Sequence, residues 1–331
     1  MSELSNKEAV VRLTALWAFT EAGLGGVLHL FKPPFSGLIL CGLSIIYIAM
    51  IAGHSNYSAK VIVRSVLLVV FVKMLVSPHS GIMAYFAVLF QGFLGAFIFS
   101  FFKRSNFALF LFAVVAMLES ALQKLIILTV LFGMSFWEAV NEFGQSVYLL
   151  FFSSAPEGYF FSWTAVSGYL MIYFAGGLTA AYMYIRIQRK LQRLETDIPL
   201  GLVEEPEVTV REKKPKKRRL TRAVVLLILL VFTVLFSSTI SDWSGVFYIL
   251  LRTVLVIWVW LYILNPMLFY LLRKTMRRRF EGREKEVGEI RELFPRLKTI
   301  VRSAWGSTRH MSGLKKLEGF LVLTFYYLLK K

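Results

Sequence analysis

Long apolar segments separated by short polar ones make up most of this chain. Each apolar segment is roughly 18–25 residues long, which is the length that a helix needs to cross a lipid bilayer. The pattern predicts eight such helices, at residues 9–30, 34–52, 61–76, 82–102, 107–133, 159–185, 223–240 and 246–272. We therefore expect an all-α, polytopic integral membrane bundle. Its predicted parts are a six-helix core, two further transmembrane helices and cytoplasmic amphipathic helices.

Two further segments have an amphipathic pattern. Residues 136–150 place apolar side chains at helical spacing opposite Glu138, Asn141, Glu142 and Gln145, which predicts a helix lying at the membrane surface. A second apolar face is predicted in the tail, formed by Ile290, Leu293, Phe294, Leu297, Ile300, Val301 and Ala304. Residues 314–329 are apolar but too short to cross, so they would lie on the membrane or against another subunit.

A change in composition divides the chain. Residues 186–222 are charged, contain proline and hold few aromatic side chains, which is typical of a flexible linker. The predicted units are a six-helix transmembrane domain (1–190), a basic cytoplasmic linker (191–221), a two-helix transmembrane hairpin (222–275) and a basic amphipathic tail (276–331).

Composition and charge support the membrane interpretation and orient it. The chain is 57% hydrophobic and has a formal charge of +18, with the basic residues grouped between and after the apolar segments. Basic loops stay on the cytoplasmic side, so both termini are predicted to be cytoplasmic, in a bacterial inner membrane. Anionic lipid headgroups are the expected partners of basic segments such as 213–222. A nucleic-acid-binding protein would lack the long apolar segments.

Motifs for common enzyme and metal chemistry are missing from the sequence. The one cysteine, Cys41, cannot form a disulfide within the chain, and the four histidines lack metal-ligand spacing. No phosphate-binding GxxxxGK[ST] loop or GxSxG elbow occurs. These observations predict no metal and no cofactor, and they favour a protein that is not itself an enzyme.

Polar side chains inside the apolar segments are the candidates for function, because hydrocarbon makes them costly unless they are paired or face a cavity. They are Glu21, Lys73, Gln91, Glu119, Gln123 and Lys124. One interpretation is that the acids and bases neutralise one another as buried structural pairs. A second is a ligand pocket, and a third is a proton relay through Glu21 and Glu119.

The pocket hypothesis centres on a predicted tight turn at residues 77–81. Lys73 and His79 flank this turn, and Lys32 and His29 come from the first loop, so the group would suit a carboxylate or phosphate on a small molecule. Gln91 lies further along the next helix. Aromatic side chains that could stack on the rest of the ligand are Tyr85, Trp137 and Trp163.

Small residues along the first helix, Ala15, Ala18, Ala22 and Gly26, form a face that another helix can approach closely. With this face and an outer ligand mouth, residues 13–189 resemble the substrate-capture component of energy-coupling factor vitamin transporters, in which an alanine-x-x-x-alanine pattern meets a coupling subunit. Ala18 and Ala22 match that pattern. The resemblance implies capture of a small solute, with ATP hydrolysis on other chains.

The second half has the helix order of that family's coupling component, namely membrane helices followed by cytoplasmic amphipathic ones. The family's alanine-arginine-glycine signature is absent, and residues 302–306 resemble it only distantly. Two alternatives remain from the residues themselves. One is a scaffold whose basic tail binds a cytoplasmic partner, and the other is a membrane enzyme using Glu21 and Glu119.

Overall fold

A computed structural model describes residues 5–31, 35–77, 81–103, 105–153, 158–197, 243–282 and 284–330. This part of the chain is helical and contains no strand. The helices are α1 (Asn6–Phe31), α2 (Ser36–His54), α3 (Ala59–Val76), α4 (Ile82–Phe102), α5 (Asn106–Phe132), α6 (Met134–Leu149), α7 (Phe161–Asp197), α8 (Trp243–Val259), α9 (Asn265–Phe280), α10 (Glu284–Ser307) and α11 (Gly313–Leu329). A π-helical turn, Trp260–Leu264, joins α8 to α9. The all-α prediction is confirmed.

Five of the described helical segments are long and apolar enough to cross a membrane: Ser36–His54, Ile82–Phe102, Asn106–Phe132, Phe161–Leu194 and Leu251–Phe280. Such a set of helices fits an integral membrane protein. The helices α1 and α3, which carry ionisable residues within their apolar stretches, are not among the five. The predicted span at 223–240 lies outside the described residues.

The helix α2 is at the centre of the bundle and contacts α1, α3, α4, α5 and α7. Glycines allow two of the closest approaches. A Cβ on Gly177 of α7 would lie 2.9 Å from the carbonyl oxygen of Ala113 on α5, and a Cβ on Gly92 of α4 would overlap Val66 of α3. Small residues thus bring these backbones together, as expected for helices packing in a membrane. Gly168, in the same helix as Gly177, is not at such a contact, because a Cβ added there would meet no other part of the chain within 4 Å.

The helix α7 extends further than the sequence pattern predicted. The charged composition predicts a linker that starts at residue 186, but residues 186–197 continue α7 to Asp197. Ile187 and Leu191, one turn apart, are 0% and 6% exposed, so an apolar stripe runs through the charged segment. Composition alone hid this helical spacing. The rest of the predicted linker, residues 198–221, lies outside the described part.

The tail helices fold back onto the bundle. Apolar residues of α10 predicted to share one face are buried or half-buried, and Phe294 packs edge-on against Phe19 of α1 at 5.4 Å. In α11, Phe325 packs on Tyr47 of α2 at 5.9 Å. Arg12 of α1 donates hydrogen bonds to two carbonyl oxygens at the end of α11. Residues 314–329 therefore lie against their own chain, and the apolar face of α10 is covered by it.

The segment from α8 to α9 crosses one end of the bundle. A Cβ on Gly133, which ends α5, would lie 2.9 Å from Nη1 of Arg252 in α8. Further along, Phe269 packs against Tyr85 in the first turn of α4, and Phe280 stacks on Phe71 near the end of α3. Because successive bundle helices alternate in direction, these three points belong to the same end. The sequence predicted a crossing at 246–272 and not this oblique course.

Candidate functional site: a buried ion pair between two helices

Glu21 and Lys73 form an ion pair inside the bundle. Glu21 Oε2 of α1 lies 2.7 Å from Lys73 Nζ of α3, and the two side chains are 5% and 1% exposed. A charge in such surroundings persists when a partner and hydrogen bonds replace the lost water. The pair therefore joins α1 to α3 at a depth that solvent does not reach.

The second oxygen of the carboxylate is held by α2. Ser44 Oγ donates a hydrogen bond to Glu21 Oε1 at 2.9 Å, and Trp17 Nε1 donates to Ser44 Oγ at 3.1 Å. Trp17 lies one turn before Glu21 on α1, so both side chains face the same neighbour. This chain of donors fixes the orientation of the carboxylate before any other group binds.

On its other side, Lys73 is held by α4. Its Nζ lies 3.4 Å from the carbonyl oxygen of Ala84 and 5.7 Å from the centre of the Tyr85 ring. Tyr85 is fully buried, and its hydroxyl donates to the carbonyl of Ser77 at 2.9 Å. We name Trp17, Glu21, Ser44, Lys73 and Tyr85 the polar cluster. It links α1, α2, α3 and α4 next to the predicted turn at 77–81.

The polar cluster contains only some of the residues expected around a ligand. Lys73 and Tyr85 are present, and Gln91, 4% exposed, is buried further along α4. The aromatic group does not assemble: Trp137 Nε1 donates to Thr129 Oγ1 at 3.0 Å, and Trp163 is 70% exposed on α7. The reason is that α6 folds back beside α5 and α7, away from Tyr85.

The outer mouth was also predicted to hold Lys32, His29 and His79. Lys32 and His79 lie outside the described residues, as does the side chain of His29. The structural alternative for the intramembrane charges holds for Glu21 and Lys73, which pair with each other. Lys73 does not extend to water, since it is only 1% exposed.

Polar residues of α5 lie in different surroundings. Gln123 Nε2 donates to the carbonyl of Met83 at 3.3 Å, which ties α5 to α4. Lys124 is exposed. Glu119 has one carboxylate oxygen, Oε2, that is buried without a hydrogen-bond partner among the described residues. Glu119 makes no described hydrogen bond or ion pair to Glu21, so a relay between the two carboxylates has no direct link here.

The small residues of α1 pack within this chain. Ala15 and Ala18 are 0% exposed and Ala22 is 8% exposed, while Gly26 is described only by its backbone. The predicted role in close helix packing fits this burial. For the first two residues no surface is left on which a separate subunit could dock in this conformation.

Ser44 and Trp17 are the members of the polar cluster that the sequence pattern did not single out. The available signal was the spacing of Trp17 and Glu21, which share a helical face. Ser44 carries a hydroxyl group within an otherwise apolar stretch of α2, and only the packing of α2 against α1 brings this hydroxyl to the carboxylate of Glu21.

In chemical terms the polar cluster is a buried ion pair with a further hydrogen bond at each end, from Ser44 to Glu21 and from Lys73 to the carbonyl of Ala84. Among the residues described, no group of three or more histidine, cysteine, aspartate or glutamate side chains could hold a metal ion. No family model, curated protein or solved structure matches this chain.

Proposed function

We propose that this protein captures a small, vitamin-like solute that carries an anionic group, for transport across a membrane. The observation that carries the proposal is the Glu21–Lys73 pair buried among apolar helices. Ionisable residues at such positions are costly and mark solute or ion pathways in membrane proteins. Energy for transport would come from ATPases on other chains, because this chain has no nucleotide-binding loop.

Exchange of partners at Lys73 supplies the mechanism. An anionic group of the solute replaces Glu21 as the partner of Lys73 Nζ, because a buried ammonium group is stable only beside an anion. The freed carboxylate keeps its hydrogen bond from Ser44, which limits the cost of the exchange. Binding would then separate α1 from α3 and change the packing of the bundle around α2.

The resemblance to energy-coupling factor transporters adds a proposal for the tail. In this proposal α10 and α11 act as a coupling module fused to the capture domain. Contacts of the tail with α1 support it, because movement of α1 on solute binding would reach α10 through Phe19 and Phe294. Arg12, which binds the carbonyls at the end of α11, provides a second connection.

The topology that we propose has eight spans with both termini in the cytoplasm of a bacterial cell. The distribution of basic residues supports it. The segments assigned to the outside are 31–34, 77–81, 134–158 and 241–245, and Lys32 is their only lysine or arginine. The structure has α8 and α9 at the end of the bundle that this topology places outside, as the contacts of Arg252, Phe269 and Phe280 show. The eight-span proposal therefore requires this segment to leave that end and cross the bilayer in the membrane-embedded protein.

The experiment that tests solute capture is native mass spectrometry of the full-length protein, gently released from bacterial membranes. We expect a bound small molecule in the wild-type protein and its loss in Lys73→Ala. The matched control is Lys60→Ala, which removes an exposed lysine from the first turn of the same helix. Equal retention by both variants would remove Lys73 from the site. A protein that carries no small molecule under any growth condition would contradict the capture function.

A further inference from the structure

A cavity of about 480 Å³ lies at the end of the bundle that holds the start of α1. Its walls come from α1, from the loop between α2 and α3, from the first half of α3 and from α10. The volume is in the usual range of small-molecule sites in proteins. This cavity is separate from the polar cluster, because no residue of that cluster lines it.

An ion pair in the wall of this cavity joins the bundle to the tail. Arg64 of α3 binds Glu286 of α10 with two contacts, 2.6 Å from Nη2 to Oε1 and 3.2 Å from Nε to Oε2. Each carboxylate oxygen thus has one guanidinium nitrogen. The two contacts leave Nη1 of Arg64 for another acceptor, and Arg64 lines the cavity.

The loop between α2 and α3, which contributes another part of the wall, is held in an uncommon conformation. Asn56 and Tyr57 have φ angles of 51° and 59°, a region that side-chain-bearing residues seldom occupy. Tyr57 is anchored by a 2.8 Å hydrogen bond from its backbone nitrogen to the carbonyl of Ala52 and by contact of its ring with Phe99. Asn56 lines the cavity beside Ser55. Strained backbone held by its surroundings is a frequent feature of ligand sites.

The charges around the cavity are of both signs. Besides the Arg64–Glu286 pair, Lys7 of α1 and Glu289 of α10 line it, both on exposed positions of their helices. The formal charge of these four side chains sums to zero. Apolar walls are contributed by Val10, Val11, Val61, Leu68 and Ile290. The lining thus offers cationic donors on α1 and α3, an acceptor on α10 and an apolar surface between them.

We propose that this cavity binds a zwitterionic phosphoester that carries an ammonium group, as in an ethanolamine phosphate headgroup. Lys7 and Nη1 of Arg64 hold the phosphate, because guanidinium and ammonium groups form strong charge-assisted hydrogen bonds with phosphate oxygens. Glu289 holds the ammonium group. Since the phosphate contacts α1 and α3 while the ammonium contacts α10, the bound molecule ties the tail to the bundle.

The test is isothermal titration of the purified full-length protein, in detergent, with O-phosphoethanolamine. We expect saturable binding, with inorganic phosphate alone and ethanolamine alone each at least about tenfold weaker. Lys7→Gln and Glu289→Gln should each weaken binding by about tenfold or more, since each removes a charged hydrogen-bond partner. Both positions are exposed, so folding of the variants is not at risk.

The matched controls are Lys60→Gln on α3 and Glu292→Gln on α10, which remove the same charges from exposed positions outside the cavity. These controls should bind as the wild type does. The proposal is overturned if O-phosphoethanolamine does not bind, if inorganic phosphate binds as tightly, or if the control variants lose as much affinity as the cavity variants.

A second arm identifies the source of the group. The protein is placed in nanodiscs of phosphatidylethanolamine and phosphatidylglycerol and analysed by native mass spectrometry. Retention of phosphatidylethanolamine by the wild type and its loss in Glu289→Gln identify a lipid headgroup as the ligand. Binding of O-phosphoethanolamine without lipid retention identifies a free metabolite. Because the polar cluster is not involved, failure here leaves solute capture untouched, and failure of the Lys73 test leaves this cavity untouched.

Discussion

Glu21 Oε2 and Lys73 Nζ lie 2.7 Å apart with both side chains buried, so each is the main compensation for the other's charge. Removal of either partner alone leaves a buried charge with no counter-charge. We expect Glu21→Gln and Lys73→Met each to lower the stability by about 3–5 kcal/mol. The double variant should be more stable than either single variant, because it leaves no unpaired charge. Thermal unfolding in detergent measures both effects.

The control for these Glu21 and Lys73 variants is Lys60→Met, which removes an exposed lysine from α3, the helix that carries Lys73. It should change the stability by roughly 0.5 kcal/mol or less, as surface substitutions usually do. A double variant as unstable as the sum of the single ones would show that Glu21 and Lys73 contribute independently, against the pairing that the structure has.

Close approach of α7 to α5 depends on Gly177. A Cβ there would lie 2.9 Å from the carbonyl oxygen of Ala113 and from Cα of Val114, and backbone cannot move aside as a side chain can. We expect Gly177→Ala to lower the stability by about 1–3 kcal/mol through overpacking.

The matched substitution in the same helix is Gly168→Ala, where an added Cβ would contact no other part of the chain within 4 Å. Alanine restricts the unfolded chain more than glycine does, so this variant should gain about 0.5–1 kcal/mol. Melting temperatures measured in one detergent should therefore fall for Gly177→Ala and rise for Gly168→Ala. Equal effects at both positions would contradict the close contact between α7 and α5.

Docking of α11 depends on Arg12. Its Nη1 lies 3.0 Å from the carbonyl oxygens of both Leu328 and Lys330, which satisfies acceptors that the end of a helix leaves open. We expect Arg12→Gln to weaken this docking by roughly 1.5–3 kcal/mol, the usual range for hydrogen bonds to a charged group. Hydrogen exchange should become faster in α11 and stay unchanged in α4. Arg302→Gln, an exposed arginine of α10, is the control and should leave α11 protected.

The proposed topology makes a prediction about Lys274, in α9. Eight full spans make this residue cytoplasmic, so Lys274→Cys should then react with a membrane-impermeant maleimide only when the cytoplasmic face is accessible. The contacts of Phe269 and Phe280 in the structure instead hold α9 at the other end of the bundle, which that topology places outside. The native Cys41 is 2% exposed and should stay unlabelled in either orientation. Labelling of position 274 in intact cells would place α9 on the outer side, as a segment lying across the end of the bundle.

The apolar pattern along the chain was enough to predict the helical class and most helix boundaries of the first half. The predicted spans at 34–52 and 82–102 differ from α2 and α4 by a few residues at most. This success has a simple physical reason: a chain in hydrocarbon must satisfy its backbone hydrogen bonds internally, so long apolar segments form helices. The amphipathic face of α10 was also readable, because burial follows the helical period.

Which polar groups meet depends on how the helices pack and could not be predicted from the helical pattern. Glu21 and Lys73 are separated by many residues, and several acids and bases were available to each, so spacing could not choose the pair. Ser44 reaches Glu21 only because α2 packs against α1. The covering of the α10 face by its own chain and the course of α8 across the bundle were likewise undetermined. Periodicity fixes which side of a helix is buried, whereas its neighbour depends on packing across the whole chain.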